Sequence, residues 1–389
     1  MTDLQNTPSG MRTHIGFFGR TNSGKSTLIN ALASQDVSIV SSEKGTTTDP
    51  VYKAIEISPI GPCLLIDTAG FDDDTVLGEQ RLKKTRRVAK ECDIAVLVSD
   101  DGSLASDGEI LTLLESLSIP VIRVINHISS PESLPADNSC VIHLNAASGR
   151  GISSLKEALK EAAKTRMKPS ILGNLIQKED LVLLVMPQDQ QAPKGRLILP
   201  QVTTLRELLD RHCMSICITP EELELTLKRL KEPPKLIITD SQVFDFVYEH
   251  KPESSKLTSF SVLFAALKGD IPTFVSGARS MADLKPGARI LIAESCSHAP
   301  MEEDIGRVKI PTLMKKKIQN DLRFDVCSGK DFPEDLSDYD LILQCGGCMV
   351  NRQNIQSRIQ QAKRQGIPIT NYGICIAYLK GILDHIVLP

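Results

Sequence analysis

The chain has 389 residues, 41% of them hydrophobic and 24% charged, which suits two or three globular domains and excludes extended disorder. Its 45 basic and 48 acidic side chains leave a net charge of −3, so no electrostatic footprint points to a nucleic-acid backbone or an anionic membrane. Ten cysteines argue for metal chemistry or simple burial over disulfides, and 4% aromatic residues without tryptophan argue against a stacking surface for single strands.

No apolar run approaches the ~20 residues of a membrane span. The polar start MTDLQNTPSGMRTH lacks the apolar core of a signal peptide, so a cytoplasmic location is expected. From about residue 15 to 168, the apolar runs IGFFG, CLLID, IAVLVSD, VIRVIN and CVIHLN alternate with helical patterns, including 25–32 and the amphipathic SSLKEALKEAAK. That alternation predicts an α/β domain with a mostly parallel sheet. TRMKPSILGN then reads as a linker.

From about 180 to 268, LVLLVMP and LIITD read as buried strands, with helices at TTLRELLDRH, EELELTLKRL and SFSVLFAALKG. This small α/β unit is expected to complete its core against a partner subunit. From about 271 onward, ARILIAES, YDLILQCGG and IPITNYG restore the α/β alternation. The expected domains are 1–170, 171–269 and 270–389.

After the strand IGFF comes Gly19-Arg20-Thr21-Asn22-Ser23-Gly24-Lys25-Ser26, a G-x-x-x-x-G-K-S loop between a strand and a helix. Glycines let backbone N–H groups turn toward phosphate oxygens, Lys25 supplies a point charge for the β/γ-phosphates, and the Ser26 hydroxyl can ligate Mg²⁺. Asn22, Ser23, Gly24, Lys25, Ser26 and Thr27 are the candidate phosphate-binding residues. Asp67-Thr68-Ala69-Gly70 ends the strand CLLI. There Asp67 can hold Mg²⁺ through a water and the Gly70 N–H can sense the γ-phosphate. In the intervening loop Gly45-Thr46-Thr47-Thr48-Asp49, Thr47 can reach the same metal. Lys25, Asp67, Thr47 and Gly70 form a candidate nucleotide switch.

GRTNSGKS, GTTTD and DTAGF resemble the TrmE/Era type of GTPase, which implies GTP as the nucleotide. In that group an apolar residue, here Phe71, stands where Ras-like proteins carry a catalytic Gln. The resemblance also implies a K⁺ ion held partly by the P-loop asparagine, here Asn22. After the strand VIRVI the group's N-K-x-D is replaced by Asn126-His127-Ile128-Ser129, so the charged acceptor for guanine is missing and base selectivity is expected to relax. The run Asn145-Ala146-Ala147-Ser148-Gly149 still resembles the S-A-x-x-G loop, which implies that the Ala146 backbone N–H reads the base.

Cys296-Ser297-His298 follows the strand ARILIAE, and Cys345-Gly346-Gly347-Cys348 follows LILQ. If the two strands are parallel neighbours, Cys296, His298, Cys345 and Cys348 converge at strand C-terminal ends, where open α/β sheets bind ligands. Such a Cys₃His set suits a structural Zn²⁺ or an iron–sulfur cluster equally well. The other cysteines, Cys213 and Cys217 among them, read as core.

A TrmE-like GTPase joined to C-x-H…C-x-x-C, with APKGRLILPQV, TLRELLD and LTSFSVLFAALKGD between, resembles the HydF family of [FeFe]-hydrogenase maturation GTPases over the whole chain. The resemblance implies a [4Fe-4S] cluster on Cys296, Cys345 and Cys348, a middle dimerisation domain and a homo-oligomer, dimer or larger. It implies a scaffold that receives a diiron precursor made with radical-SAM maturases and delivers it to apo-[FeFe]-hydrogenase. The sequence departs from that pattern at Gln344, where a histidine often precedes C-x-x-C. This leaves His298, a carboxylate or an exogenous group for the fourth iron. The rival expectations are a TrmE-like tRNA-modification GTPase and a nucleotide-gated zinc protein without turnover.

Overall fold

The computed structural model describes residues 7–35, 42–43, 50–70, 76–100, 108–127, 141–165, 170–187, 197–295, 304–329 and 331–389. Thr47, Phe71, Ser129, Cys296 and His298 lie outside these residues. The chain divides into two compact units, 1–168 with 349–357, and 169–348 with 358–389.

The first unit contains β1 (Thr13–Phe18), α1 (Lys25–Gln35), β2 (Ser42–Glu43), β3 (Val51–Ile57), β4 (Gly61–Asp67), α2 (Val76–Ala89), β5 (Ile94–Asp100), α3 (Gly108–Ser116), β6 (Val121–Asn126), β7 (Ile142–Leu144) and α4 (Ile152–Thr165). Its sheet has the order β2-β3-β4-β1-β5-β6-β7, parallel from β4 onward, with β2 and β3 added antiparallel. β1 and β5 are near-continuous apolar runs because helices cover both faces of a parallel sheet. The pleat sends Ile15, Phe17, Leu65 and Val96 to one core with Leu28, Leu155 and Leu159. It sends Phe18, Ile66, Ala95 and Leu97 to the other, with Ile110 and Leu114.

The second unit begins with β8 (Leu181–Val185), α5 (Leu199–Asp210), β9 (Met214–Ile218), α6 (Leu223–Arg229), β10 (Leu236–Thr239), α7 (Phe244–His250), β11 (Lys256–Ser259) and α8 (Phe260–Lys268). These strands form a parallel sheet ordered β11-β10-β8-β9. There follow α9 (Ile271–Arg279), β12 (Arg289–Ala293), α10 (Ile310–Lys317), β13 (Arg323–Cys327), β14 (Leu341–Gln344), α11 (Arg352–Arg364), whose residues 352–357 are counted with the first unit, β15 (Ile369–Asn371) and α12 (Tyr372–Leu379). Their sheet, also parallel, is ordered β13-β12-β14-β15. No helix among the described residues is long and apolar enough to cross a membrane.

Cys213 is buried, but Cys217 is exposed, against the expectation that both belong to the core. The reason is its place on β9, an edge strand whose neighbour among the described residues is β8 alone, leaving its residues at most half-buried.

In the second unit α9 lies against β15, and a Cβ added to Gly277 would stand 2.1 Å from the Ile369 carbonyl oxygen. Backbone on the far side cannot give way as a side chain would. Gly277→Ala is therefore expected to cost about 1–3 kcal/mol, as overpacking does, and to lower the denaturant midpoint of the transition that includes this sheet. An unchanged midpoint would show that the α9–β15 approach is looser than described.

Candidate functional site

The P-loop turns between β1 and α1 under steric constraints that require its glycines. Gly19 (φ 154°) and Gly24 (φ 87°) adopt positive φ. An added Cβ would lie 2.1 Å from Val98 O at Gly19 and 2.1 Å from Asn126 Nδ2 at Gly24. Asn22, at φ 62°, takes the left-handed conformation that asparagine tolerates. Lys25 is 6% exposed, and its ammonium donates to Gly19 O at 2.9 Å and to Arg20 O at 2.6 Å. The charge is thereby held over the loop at the helix N-terminus, where anions are favoured. Ser23 Oγ is buried without a hydrogen-bond partner among the described residues. The narrow cradle, the fixed cation and this orphan hydroxyl fit a polyphosphate.

Ser26 Oγ donates to Asp67 Oδ2 at 2.5 Å, so the two expected Mg²⁺ residues meet between the first turn of α1 and the end of β4. Burial pushes the Asp67 carboxyl above the ordinary range, opposed by the Ser26 hydroxyl and the Lys25 ammonium. A desolvated carboxylate beside a hydroxyl is a suitable oxygen set for Mg²⁺. Thr68 anchors the turn by donating to Phe17 O at 2.7 Å. Next to it Gly70 approaches the P-loop so closely that a Cβ would stand 2.3 Å from Thr21 N.

On the base side Asn126, 3% exposed, connects two loops through one amide. Its Nδ2 donates to Ser23 O at 3.0 Å, and its Oδ1 accepts the Ala146 N–H at 3.0 Å. The backbone N–H expected to read the base is thus held by Asn126 in this structure. Sequence spacing shows neither partner, because one is a backbone carbonyl and the other a backbone amide. His127, in place of the expected lysine, sits with its Nε2 2.9 Å from His143 Nδ1.

β12 and β14 are parallel neighbours, with Ala293 opposite Gln344. In the order β13-β12-β14-β15 they flank the switch point, where the C-terminal ends of strands leave a ligand crevice. Cys345 follows directly: its N–H donates to Ala293 O at 3.0 Å, and its Sγ accepts the Ser295 N–H at 3.1 Å. Of the two glycines that follow, Gly347 has φ 70°, whereas a Cβ on Gly346 would meet only Phe264, at an ordinary 3.9 Å. Burial pushes the Cys348 thiol up to about 11, Cys345 adding to the rise and Lys268 opposing it. Two thiols at a switch point, one already receiving a backbone N–H, are a chemically apt start for a thiolate-ligated metal centre. Among the described residues no group of three or more His, Cys, Asp or Glu converges; Cys296 and His298 lie outside them.

Comparison with known proteins gives three family models along the chain. Residues 14–127 match the 50S ribosome-binding GTPase model, 171–269 the hydrogen maturase F dimerization domain, and 272–389 the hydrogen maturase F tetramerization domain. The tRNA modification GTPase MnmE of Legionella pneumophila (strain Paris) is 35% identical over 147 residues, 37% of this chain and 33% of its own length. MnmE of Nitrosomonas europaea is 38% identical over 152 residues, again 37% of this chain and 33% of its own. The chain thus spans about a third of these relatives' length, 33% in each case. Among solved structures, Aquifex aeolicus Era bound to GDP and AlF4− covers 63% of this chain and 100% of its own, with 18% identity and a TM-score of 0.33.

Two outcomes follow from this geometry. Asn126→Ala abandons Ser23 O and the Ala146 N–H, at a cost of about 1–3 kcal/mol for each buried group, so calorimetry should show both a lower melting temperature and weaker nucleotide binding. Protons compete with Mg²⁺ for a carboxyl whose pKa burial raises, so Mg²⁺-dependent nucleotide affinity should fall on acidification at a pH above that of an ordinary aspartate. Asp67→Asn should remove that acid limb and weaken Mg²⁺ binding at neutral pH; an affinity flat down to the ordinary carboxylate range would contradict the assignment.

Proposed function

This chain belongs to the hydrogen maturase F family, and on that premise we propose that it is a GTP-hydrolysing scaffold that assembles the diiron subcluster precursor and delivers it to apo-[FeFe]-hydrogenase. The observation that carries the reading is the presence in one chain of a P-loop cradle and a C-x-x-C loop, each at the C-terminal ends of parallel strands. The first unit carries a GTPase domain, and the rest carries dimerisation and tetramerisation domains, so the chain works as a homo-oligomer. The functional division is 1–170 for nucleotide, 171–269 for dimerisation and 270–389 for the metal centre.

In the nucleotide site Lys25 stabilises charge on the β/γ-phosphates, Ser26 and Asp67 hold Mg²⁺ with Thr47, and Asn22 orients K⁺ in place of a water-positioning glutamine. In the metal site Cys296, Cys345 and Cys348 hold a [4Fe-4S] cluster, with His298 the exchangeable fourth group. When bound, that cluster supplies an iron at which a further metal fragment can dock. The radical-SAM maturases are the partners that supply the precursor. The MnmE likeness covers 37% of the chain, and a net charge of −3 does not favour a tRNA partner.

Anaerobic reconstitution with metal analysis and visible spectroscopy tests the reading. Bound iron with charge-transfer absorption is expected; zinc without visible absorption would support the zinc protein, and tight co-purification with tRNA the tRNA-modification GTPase. Cys296→Ala, Cys345→Ala and Cys348→Ala should each lose iron while GTP hydrolysis persists, whereas His298→Ala should keep iron and change the EPR signal. Lys25→Ala should abolish hydrolysis, and K⁺ but not Na⁺ should stimulate the unaltered protein. Full iron content in Cys345→Ala would defeat the metal assignment.

A further inference from the structure

The turn that closes a helix carries carbonyls beyond the reach of the helix's own donors, and where they are buried they need partners from elsewhere. In the turns that close α2 and α3, those partners come from residues 349–357, which are counted with the first unit. The buried Asn351 donates Nδ2 to Glu91 O at 2.7 Å and to Asp93 Oδ2 at 2.9 Å. Gln353, also buried, donates Nε2 to Leu117 O at 3.2 Å. Asp93 Oδ2 in turn accepts the His14 N–H at 2.9 Å, near the start of β1, the strand that ends at the phosphate loop. The turn after α2 is closely fitted to that strand, since a Cβ on Gly16 would stand 2.2 Å from Cys92 Sγ. At its other end α2 opens six residues after Gly70, which itself lies against Thr21 of the P-loop. The helix between is a stiff rod of about 21 Å.

The chain enters this segment directly after Cys348 and leaves it after Ser357, inside α11. Three peptide steps separate Cys348 from Asn351, so their Cα atoms stand at most about 11 Å apart. We propose that residues 349–357 are a strap that passes the nucleotide state of the P-loop to the C-x-x-C loop. A triphosphate that reorders the turn at 67–70 displaces α2, as γ-phosphate contacts order the switch segments of nucleotide switches. The closing turn of α2 carries Asn351 with it, because parting the two would leave Glu91 O buried without a donor. With only Met349 and Val350 between, the C-x-x-C loop follows. That the loop holds a metal centre rests on the function proposed above; the strap and its anchors do not.

The test is amide hydrogen exchange, read by mass spectrometry on the full metal-free chain with Mg²⁺ and either GDP or the GTP analogue GPPNHP. Both nucleotides should protect 19–26. Exchange across 341–351, which includes the Cys345 N–H bonded to Ala293 O, should differ between them roughly five- to 150-fold, the range of ordinary allosteric coupling. Asn351→Ser can still cap α11 by accepting the Asn354 N–H, but it lacks the amide that reaches Glu91 O and Asp93. That variant should keep the protection of 19–26 and lose the difference at 341–351, and Gln353→Ala should diminish it. Equal exchange of 341–351 with the two nucleotides in the unaltered protein overturns the proposal. So does a full difference in Asn351→Ser; if that variant does not fold, a full difference in Gln353→Ala decides in the same way. Absence of iron after reconstitution would defeat the proposed function, while exchange in the metal-free chain would still decide this inference.

Discussion

A parallel strand covered by helices on both faces has no solvent into which a polar side chain can turn, so its chemistry collects where the strand ends. That constraint governs this molecule. β1, β4 and β5 carry apolar stretches, 15–18, 64–66 and 94–98, and the phosphate loop and Asp67 stand at the ends of β1 and β4. β12 and β14 are equally apolar, and Cys345 begins one residue past the last pairing. Backbone N–H groups and loop curvature then do what side chains in the strands cannot. They present donors to phosphate at the first site and to sulfur at the second.

Uncharged carboxamides hold both places together. Asn126 ties the P-loop to the turn at 145–150, and Gln344 ties Arg358 to the Cys345 loop. Asn351 does the same within the first unit: its Nδ2 donates to Glu91 O at 2.7 Å and Asp93 Oδ2 at 2.9 Å, while its Oδ1 accepts the Asn354 N–H at 3.1 Å. An amide is both donor and acceptor, so it can satisfy two loops in a low dielectric without the desolvation cost of burying a charge. At the nucleotide site charge is used where a ligand can answer it, at Lys25 and Asp67. There burial strengthens the interaction and also raises the carboxyl's affinity for protons.

The three sheets differ in how their edges are completed. In the first, β2 and β3 extend the parallel core antiparallel. In the second unit, β9 and β13 lie at sheet edges with exposed Met214 and Val326. Among the described residues these edges have a neighbouring strand on one side only.

Much of this was legible along the chain. IGFF, CLLI, IAVLVSD, LVLLV and LILQ were recognisable as buried strands because helices on both faces force continuous apolar runs. G-x-x-x-x-G-K-S, DTAG and C-x-x-C could be read because their spacing is itself the geometry of a loop around a ligand. β9 and β13 were not legible: MSICI and RFDVC are strands only because a neighbour supplies hydrogen bonds, and residues at most half-buried carry no strong pattern. Nor could the sequence show that Asn126 would hold the Ala146 N–H, or that Arg358 would face Gln344 fourteen positions earlier. Residue type and local spacing determine which elements form and what chemistry they carry. Which donor meets which acceptor between elements is decided only when packing brings them within about 3 Å and leaves no water to take either one's place.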